Sequence, residues 1–334
     1  MKKIIALMGT AAILSAVIAL VALPLGASAA TAGGTGLTAA IVATSGQIIS
    51  GTIDATGYDL GIYIGPGVHN VLVTGANVTG ANDEGILVQD ASNIVIENST
   101  ISGNGGNATP GIIENKAIML VGTTNCLVKN NIVKDNMHGG IGVEADSPAL
   151  DPGAPTPSAT APMAGTGNVV TGNLVQDNGF DCGIVVAPNT PGGTVSNNIV
   201  SKNAVVITTI GVGGIVVGAG NPDVPLPTTA TDNIVLDNVV NGGLLAGVVV
   251  HSWLGGTISG TQIIGNVLSD NGYVVSGNTT GIEIFAEAPF GTITGTQVLN
   301  DSVSNDYYGV WHIGDTGTHI AHLTTSSVTV PVFP

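Results

Sequence analysis

Arginine is missing from this chain, and its six lysines face 22 acids, for a formal net charge of −16. A protein with so little cation has almost nothing with which to neutralise phosphate, which argues against nucleic acid, anionic lipid and polyanionic substrates as partners. Aromatic residues make up only 3% of the sequence. The interior must therefore be built from Ile, Val and Leu. Cysteine occurs twice, and Cys126 and Cys182 fall in different repeats at different positions. A disulfide needs α-carbons within about 7 Å, so both are expected to be free thiols. Methionine is rare, the six histidines are scattered apart from His319 and His322, and neither an EF-hand loop nor a glycine-aspartate calcium repeat is present. No metal or cofactor is evident; calcium remains open, because the acidic loops carry oxygen donors.

What the chain has instead is glycine, 50 residues of 334, and a repeat. Gly85 to Asn104, GILVQDASNIVIENSTISGN, holds three short aliphatic pieces separated by turn residues. Its opening recurs at Gly61, Gly85, Ala117, Gly140, Gly183, Gly214, Gly247, Gly281 and Gly309, at intervals of 23 to 43 residues. Directly after each start comes a branched aliphatic, from Ile62 and Ile86 to Ile282 and Val310. Two residues later a second column runs from Ile64 and Val88 to Ile284 and His312. Alternation of period two puts both columns on one face of a strand.

A further column reads Asn77, Ser99, Asn131, Asn173, Asn198, Asn238, Asn266 and Asp301, with partners five residues on, from Asn82 and Asn104 to Asn271 and Asp306. Asn and Asp tolerate left-handed backbone and bond local amides, so they mark corners. Stacked in register, their side-chain amides are expected to bond from turn to turn. Single aliphatics between the corners, such as Ile101, Val133, Val175, Val200 and Val240, complete the pattern. It predicts a solenoid of three strands per turn over about nine turns.

This pattern resembles the right-handed parallel β-helix, or pectin-lyase-like fold, from about Gly51 to Pro334. The resemblance implies an all-β coil of the kind found in secreted polysaccharide enzymes and in periplasmic proteins that assist copper-enzyme maturation. Its handedness agrees with the right-handed rule for parallel crossovers. The enzymes' signatures do not carry over. The proton-abstracting arginine of the lyases has no counterpart, and of the polygalacturonase motifs only His138-Gly139 occurs, alone. Tyr308-Gly309-Val310-Trp311-His312 is similar to the Tyr-Gly-Phe/Ile-Asp-Pro-His motif of alginate epimerases, without its Asp-Pro.

Residues 1–29 read as a secretory signal peptide: Lys2 and Lys3, an apolar run from Ile4 to Leu23, Pro24 as breaker, and Ala27-Ser28-Ala29 as cleavage site. Retention of that run as an anchor is the alternative. No second apolar stretch has the length of a transmembrane helix, so the mature chain is expected to be secreted, periplasmic or at the cell surface. Residues 30–50 read as a loose lead-in and residues 51–334 as the coil. Pro331 and Pro334 close the tail, where they block a further strand. Insertions cluster at two corners, flanking the first strand of each repeat, so that this face lies between two walls of loops. The longest, after Glu144, is rich in Pro and Ala.

One outward residue per turn forms the floor between those walls: Tyr63, Leu87, Met119, Gly142, Val185, Val216, Val249, Glu283 and Trp311. An apolar floor needs a cover, supplied by loops, by the lead-in or by another subunit. Near the C-terminal end it turns polar, and His251, Trp253, Glu283, Glu287, Trp311, His312 and Asp315 come from three successive turns. Carboxylates beside aromatic faces suit glycosidic-bond cleavage, with Glu283, Glu287 and His251 as candidate catalytic groups. The same set suits plain sugar binding, with Trp253, Trp311, His312 and Asp315 as ligand contacts. A second acid pair, Glu144 and Asp146, lies four turns away, about 19 Å. Three functions follow from these features: recognition of a glycan or protein through the first-strand face, a carbohydrate-active enzyme, or a structural protein that self-associates through the apolar floor.

Overall fold

The computed structural model describes residues 30–31, 37–106, 116–145, 164–179, 181–188, 190–207, 213–221, 226–273 and 275–334. The expected leader, Asp146 and most of the long Pro and Ala-rich insertion lie outside them. Among the described residues every regular element is a strand, and no helix is long and apolar enough to cross a membrane.

The strands wind into a parallel coil of three sheets with 12, 18 and 5 members. The first sheet is the one the repeat predicts. Ile62, Ile86, Ile118, Ile141, Ile184, Ile215, Val248, Ile282 and Val310 lie opposite one another from turn to turn, and every one is fully buried. Each such side chain contributes roughly 1.5–3 kcal/mol on burial, so the stacked rows suffice as a core without aromatic help. The starts are small for a steric reason. A Cβ at Gly61 would run into the carbonyl of Gly85 and the Val78 side chain, and one at Gly140 into the carbonyl of Gly183 and Val175.

The coil is longer than nine turns. Thr38–Val42 pairs in parallel with Leu60–Ile64, and Val330–Phe333 with Tyr308–Ile313, so the first sheet holds eleven parallel strands, a rod of about 48 Å. The lead-in is thus not loose over its second half: Thr38–Val42 and Ile48–Asp54 both sit in ladders, because each carries the alternating apolar residues the coil requires. Middle turns contain four short strands and not three, as in Cys182–Val186, Thr194–Ser196, Ile199–Ser201 and Ala204–Val206. The second sheet takes two strands from each such turn.

Asparagine ladders run along the corners as expected. Ser99, Asn131, Asn173, Asn203, Asn238, Asn266 and Asp301 form one: each residue's side-chain oxygen accepts the main-chain N–H of the rung before it, and from Asn173 onward also that rung's Nδ2–H, at 2.8–3.0 Å. Asn104, Asn136 and Asn178 form a second ladder, and Asn168, Asn198 and Asn233 a third. This corrects the expected register in two places. Asn203, not Asn198, follows Asn173, and with it Val205, not Val200, lies level with Val175 and Val240. In the first turns Ala76 and Ala81, not Asn77 and Asn82, stand at the corners, where their N–H groups donate to Ser99 and Asn104. The left-handed residue is the one before each rung, as at Asn98, Asn130, Lys202 and Asp237. Neither cysteine is in a disulfide; Cys126 is buried in the core and Cys182 is half-buried.

Candidate functional site

The floor of the first-strand face is covered along its length. From Tyr63 to Trp311 no side chain in that column is more than 6% exposed. Tyr63, Leu87 and Met119 pack with Ala39 and Leu60, flanked by Leu37 and Val42, so the lead-in, whose Thr38–Val42 is the next strand of this sheet, extends the apolar floor at this end. Val185, Val216 and Val249 pack with Ala187 and Ala246, flanked by Cys182, Leu245 and Trp253. Self-association through an open apolar floor therefore has no surface to use.

The second outward column, two residues further along each strand, holds Gly218, His251, Phe285 and Ile313 on successive turns. Trp253 leaves the strand end and folds back, its ring stacked on His251 at 4.3 Å and 21°. It lies over Gly218, where a Cβ would come within 2.7 Å of the indole. Phe285 meets His251 edge-on at 5.0 Å, and Trp311 lies 5.7 Å from Phe285. Trp311 stacks in turn on Phe333 at 6.5 Å and 10°. The result is a continuous aromatic run across the last four strands of the sheet.

His251 is 3% exposed, and among the described residues neither ring nitrogen has a hydrogen-bond partner. Burial pushes its pKa down to about 4, so the imidazole is neutral over most of the pH range. His312 takes the inward slot level with Ile284, and its Nδ1 lies 3.0 Å from the Asp315 carboxylate.

The two candidate acids do not meet. Glu283 is fully buried between Val249 and Trp311, and its carboxylate accepts the N–H groups of Val275 (3.0 Å) and Ser276 (3.2 Å). It clasps the loop ahead of its own strand. Glu287 is half-buried in the turn that follows, where its carbonyl accepts the Gly291 N–H. The strand between them stays extended through Ala286, which sets their α-carbons about 13 Å apart. Glu144 is buried in the column of Gln89 and Val121, far from either.

Three groups escaped the sequence reading. Phe285 and Phe333 join the two tryptophans, and Phe285 was identifiable as the residue level with His251 one turn on. Lys116 is the third: it is buried, ion-paired with Asp181, and has His138 close enough for its charge to matter. Burial chiefly, and Lys116 besides, hold the His138 pKa down, against the pull of Asp181. No group of His, Cys, Asp and Glu side chains suited to a metal ion occurs among the described residues.

Residues 33–225 match the family model described as the right handed beta helix region. No curated protein matches the sequence. Among solved structures, the chain is similar to PfbA, a surface adhesin of Streptococcus pneumoniae, with 13% identity and a TM-score of 0.50 over 85% of this chain and 71% of that one. It is also similar to the catalytic unit of a thermostable GH87 alpha-1,3-glucanase from Streptomyces thermodiastaticus, with 14% identity and a TM-score of 0.51. There it covers 88% of this chain and half of the other. The A-module of the Azotobacter vinelandii mannuronan C-5 epimerase AlgE6 matches with 13% identity and a TM-score of 0.42, over 80% and 68% of the two chains. At these identities the likeness is one of fold.

Proposed function

The chain belongs to the right-handed β-helix family, and from that premise we propose that it is an exported, non-catalytic protein that recognises a neutral glycan. The leader of residues 1–29 directs export, and the coil that follows is the recognition domain. The observation that carries this reading is where the aromatic residues lie. Eight of the eleven Phe, Trp and Tyr residues fall at or after Trp253, and five aromatic rings there, the imidazole included, form one run: Trp253, His251, Phe285, Trp311 and Phe333. Flat rings hold the apolar faces of a sugar, and Trp253, Phe285 and Phe333 are the half-buried or exposed members of the run, with His251 and Trp311 buried behind them. The scarcity of cations fits an uncharged ligand.

A hydrolase using Glu283 and Glu287 is the weaker reading. Glycoside cleavage needs two carboxyl groups about 5–9.5 Å apart on either side of the bond, and Glu283 is engaged with loop amides inside the protein. The test is a binding and turnover screen on soluble neutral polysaccharides with wild type, Trp253→Ala and Glu287→Gln. Binding without products, lost in Trp253→Ala at an unchanged melting temperature, is the expected result. Products that disappear in Glu287→Gln would establish the enzyme instead. Binding that survives Trp253→Ala would place the ligand elsewhere.

A further inference from the structure

The five-stranded sheet lies round the corner from the aromatic run and takes no part in it. Four of its strands, Thr194–Ser196, Thr228–Thr231, Gly256–Ser259 and Thr292–Thr294, pair in parallel and in register. Their inward residues, Val195, Ala230, Ile258 and Ile293, are buried. Outward, Thr194, Thr229, Thr257 and Thr292 stack in one column. Ser196, Thr231, Ser259 and Thr294 stack in the other. All eight positions carry a hydroxyl, and all are half-buried or exposed. The second column continues unbroken in both directions, from Ser92 through Thr124 and Thr166 at one end to Thr316 at the other.

Among the described residues no other outward column of the coil is so uniform. On the second sheet the equivalent position changes from Ile199 and Ile234 to Gln262, Gln297 and His319. Solubility alone asks for polar residues at such positions and is met by charge or amide, yet none of this chain's acids enters the array. An uncharged face on a strongly acidic protein selects for an uncharged partner.

The geometry narrows the choice further. Rungs repeat about every 4.8 Å along the coil and about every 6.6 Å along each strand, so the hydroxyls form a regular two-dimensional array. Threonine is stiff at χ1 and the backbone is fixed by ladders on both sides, so the lattice is ordered before any ligand arrives. A small ligand or single sugar chain is held in a concave pocket by a few convergent groups, which this face does not offer. A partner that is neutral, hydrogen-bonding and itself periodic in two directions fits. Ordered water in hexagonal ice presents oxygen rows whose repeat is close to the rung spacing. We propose that this face binds ice, its hydroxyls and threonine methyls holding water at the lattice spacing.

The test uses the mature full-length chain in slowly grown ice, with the fraction of protein incorporated as the readout and recrystallisation inhibition as a second. Wild type is expected to be enriched in the ice and Thr229→Lys/Thr257→Lys to lose most of that enrichment. Thr100→Lys on the second sheet and Trp253→Ala should behave as wild type, which separates this face from the glycan site. Melting curves check that the variants fold, and Thr231→Tyr serves if the double lysine variant does not. Exclusion of wild type from ice would overturn the proposal. So would incorporation that the array variants leave unchanged, or binding to insoluble cellulose or chitin that depends on Thr229 and Thr257 while ice is ignored.

Discussion

Asp301 accepts two hydrogen bonds from Asn266 on a single oxygen: the main-chain N–H and Nδ2–H both reach its Oδ1 at 2.8 Å. It is the last rung of the long ladder. The Asn rungs before it donate Nδ2–H back to a carbonyl of the preceding turn, those of Ile96, Val128, Val170, Val200 and Val235. By that register the Oδ2 of Asp301 falls to Ile263, and as a carboxylate it has no proton to give. This oxygen is buried with no partner among the described residues. Burial is the main cause raising the Asp301 pKa to about 6, with Asp237 adding to it; burial does the same for Asp306, also to about 6.

A pKa raised in the folded state favours the protonated form, so the stabilisation is complete below pH 3.8 and is lost as pH rises through about 6. Asp301→Asn supplies the missing N–H at every pH. It is expected to raise stability at pH 7 by about 1–3 kcal/mol and to leave it nearly unchanged at pH 4, read from denaturation midpoints at the two pH values.

His251 acts in the opposite sense. Its pKa falls from 6.5 to about 4 on folding, so its contribution is present above pH 6.5 and lost as pH falls through about 4. His251→Phe keeps a ring between Trp253 and Phe285 and removes the titration. The variant should lose less stability than wild type between pH 7 and pH 4. A parallel loss in both proteins would show that the imidazole is reached by water.

Glu283 predicts a local effect. Replacement by Ala leaves the amides of Val275 and Ser276 without their acceptor and should cost about 1–3 kcal/mol. Hydrogen exchange should quicken at those two amides first, with the sheet amides of Val248–Ser252 unaffected.

Asn203 tests whether the ladder holds the coil together. It accepts from the main chain and side chain of Asn173 and donates to the Val170 carbonyl and to Asn238. Asn203→Ala strands the Asn173 N–H groups and the Val170 carbonyl in the interior, while Asn238 keeps the main-chain N–H of residue 203, and is expected to destabilise by about 3 kcal/mol or more. A change within about 0.5 kcal/mol, the range of ordinary surface substitutions, would assign the stability to the aliphatic rows alone.

The rows were legible in the sequence because each position of the first strand repeats the same chemistry nine times, and a buried branched aliphatic tolerates little else. The Asn198 and Asn203 register was not legible, because corners five residues apart carry the same residue and the next turn is separated by an insertion. Ala76 and Ala81 escaped for the converse reason: a neighbouring asparagine, Asn77 or Asn82, matched the pattern better than the true rung. At the candidate site the column positions of Glu283 and Trp311 were correct. What the column does not reveal is direction of reach, and so the stacking of Trp253 on His251 and the engagement of Glu283 with a loop both depend on segments whose path the repeat does not set.

The spacing between starts varies from 23 to 43 residues, yet the strands on either side of each insertion keep a single register. The shaft is therefore indifferent to what is spliced into two of its corners. Evolution, or an engineer, is free to graft new recognition loops at those ports one turn at a time, with the position of each graft set in advance by the pitch of the coil.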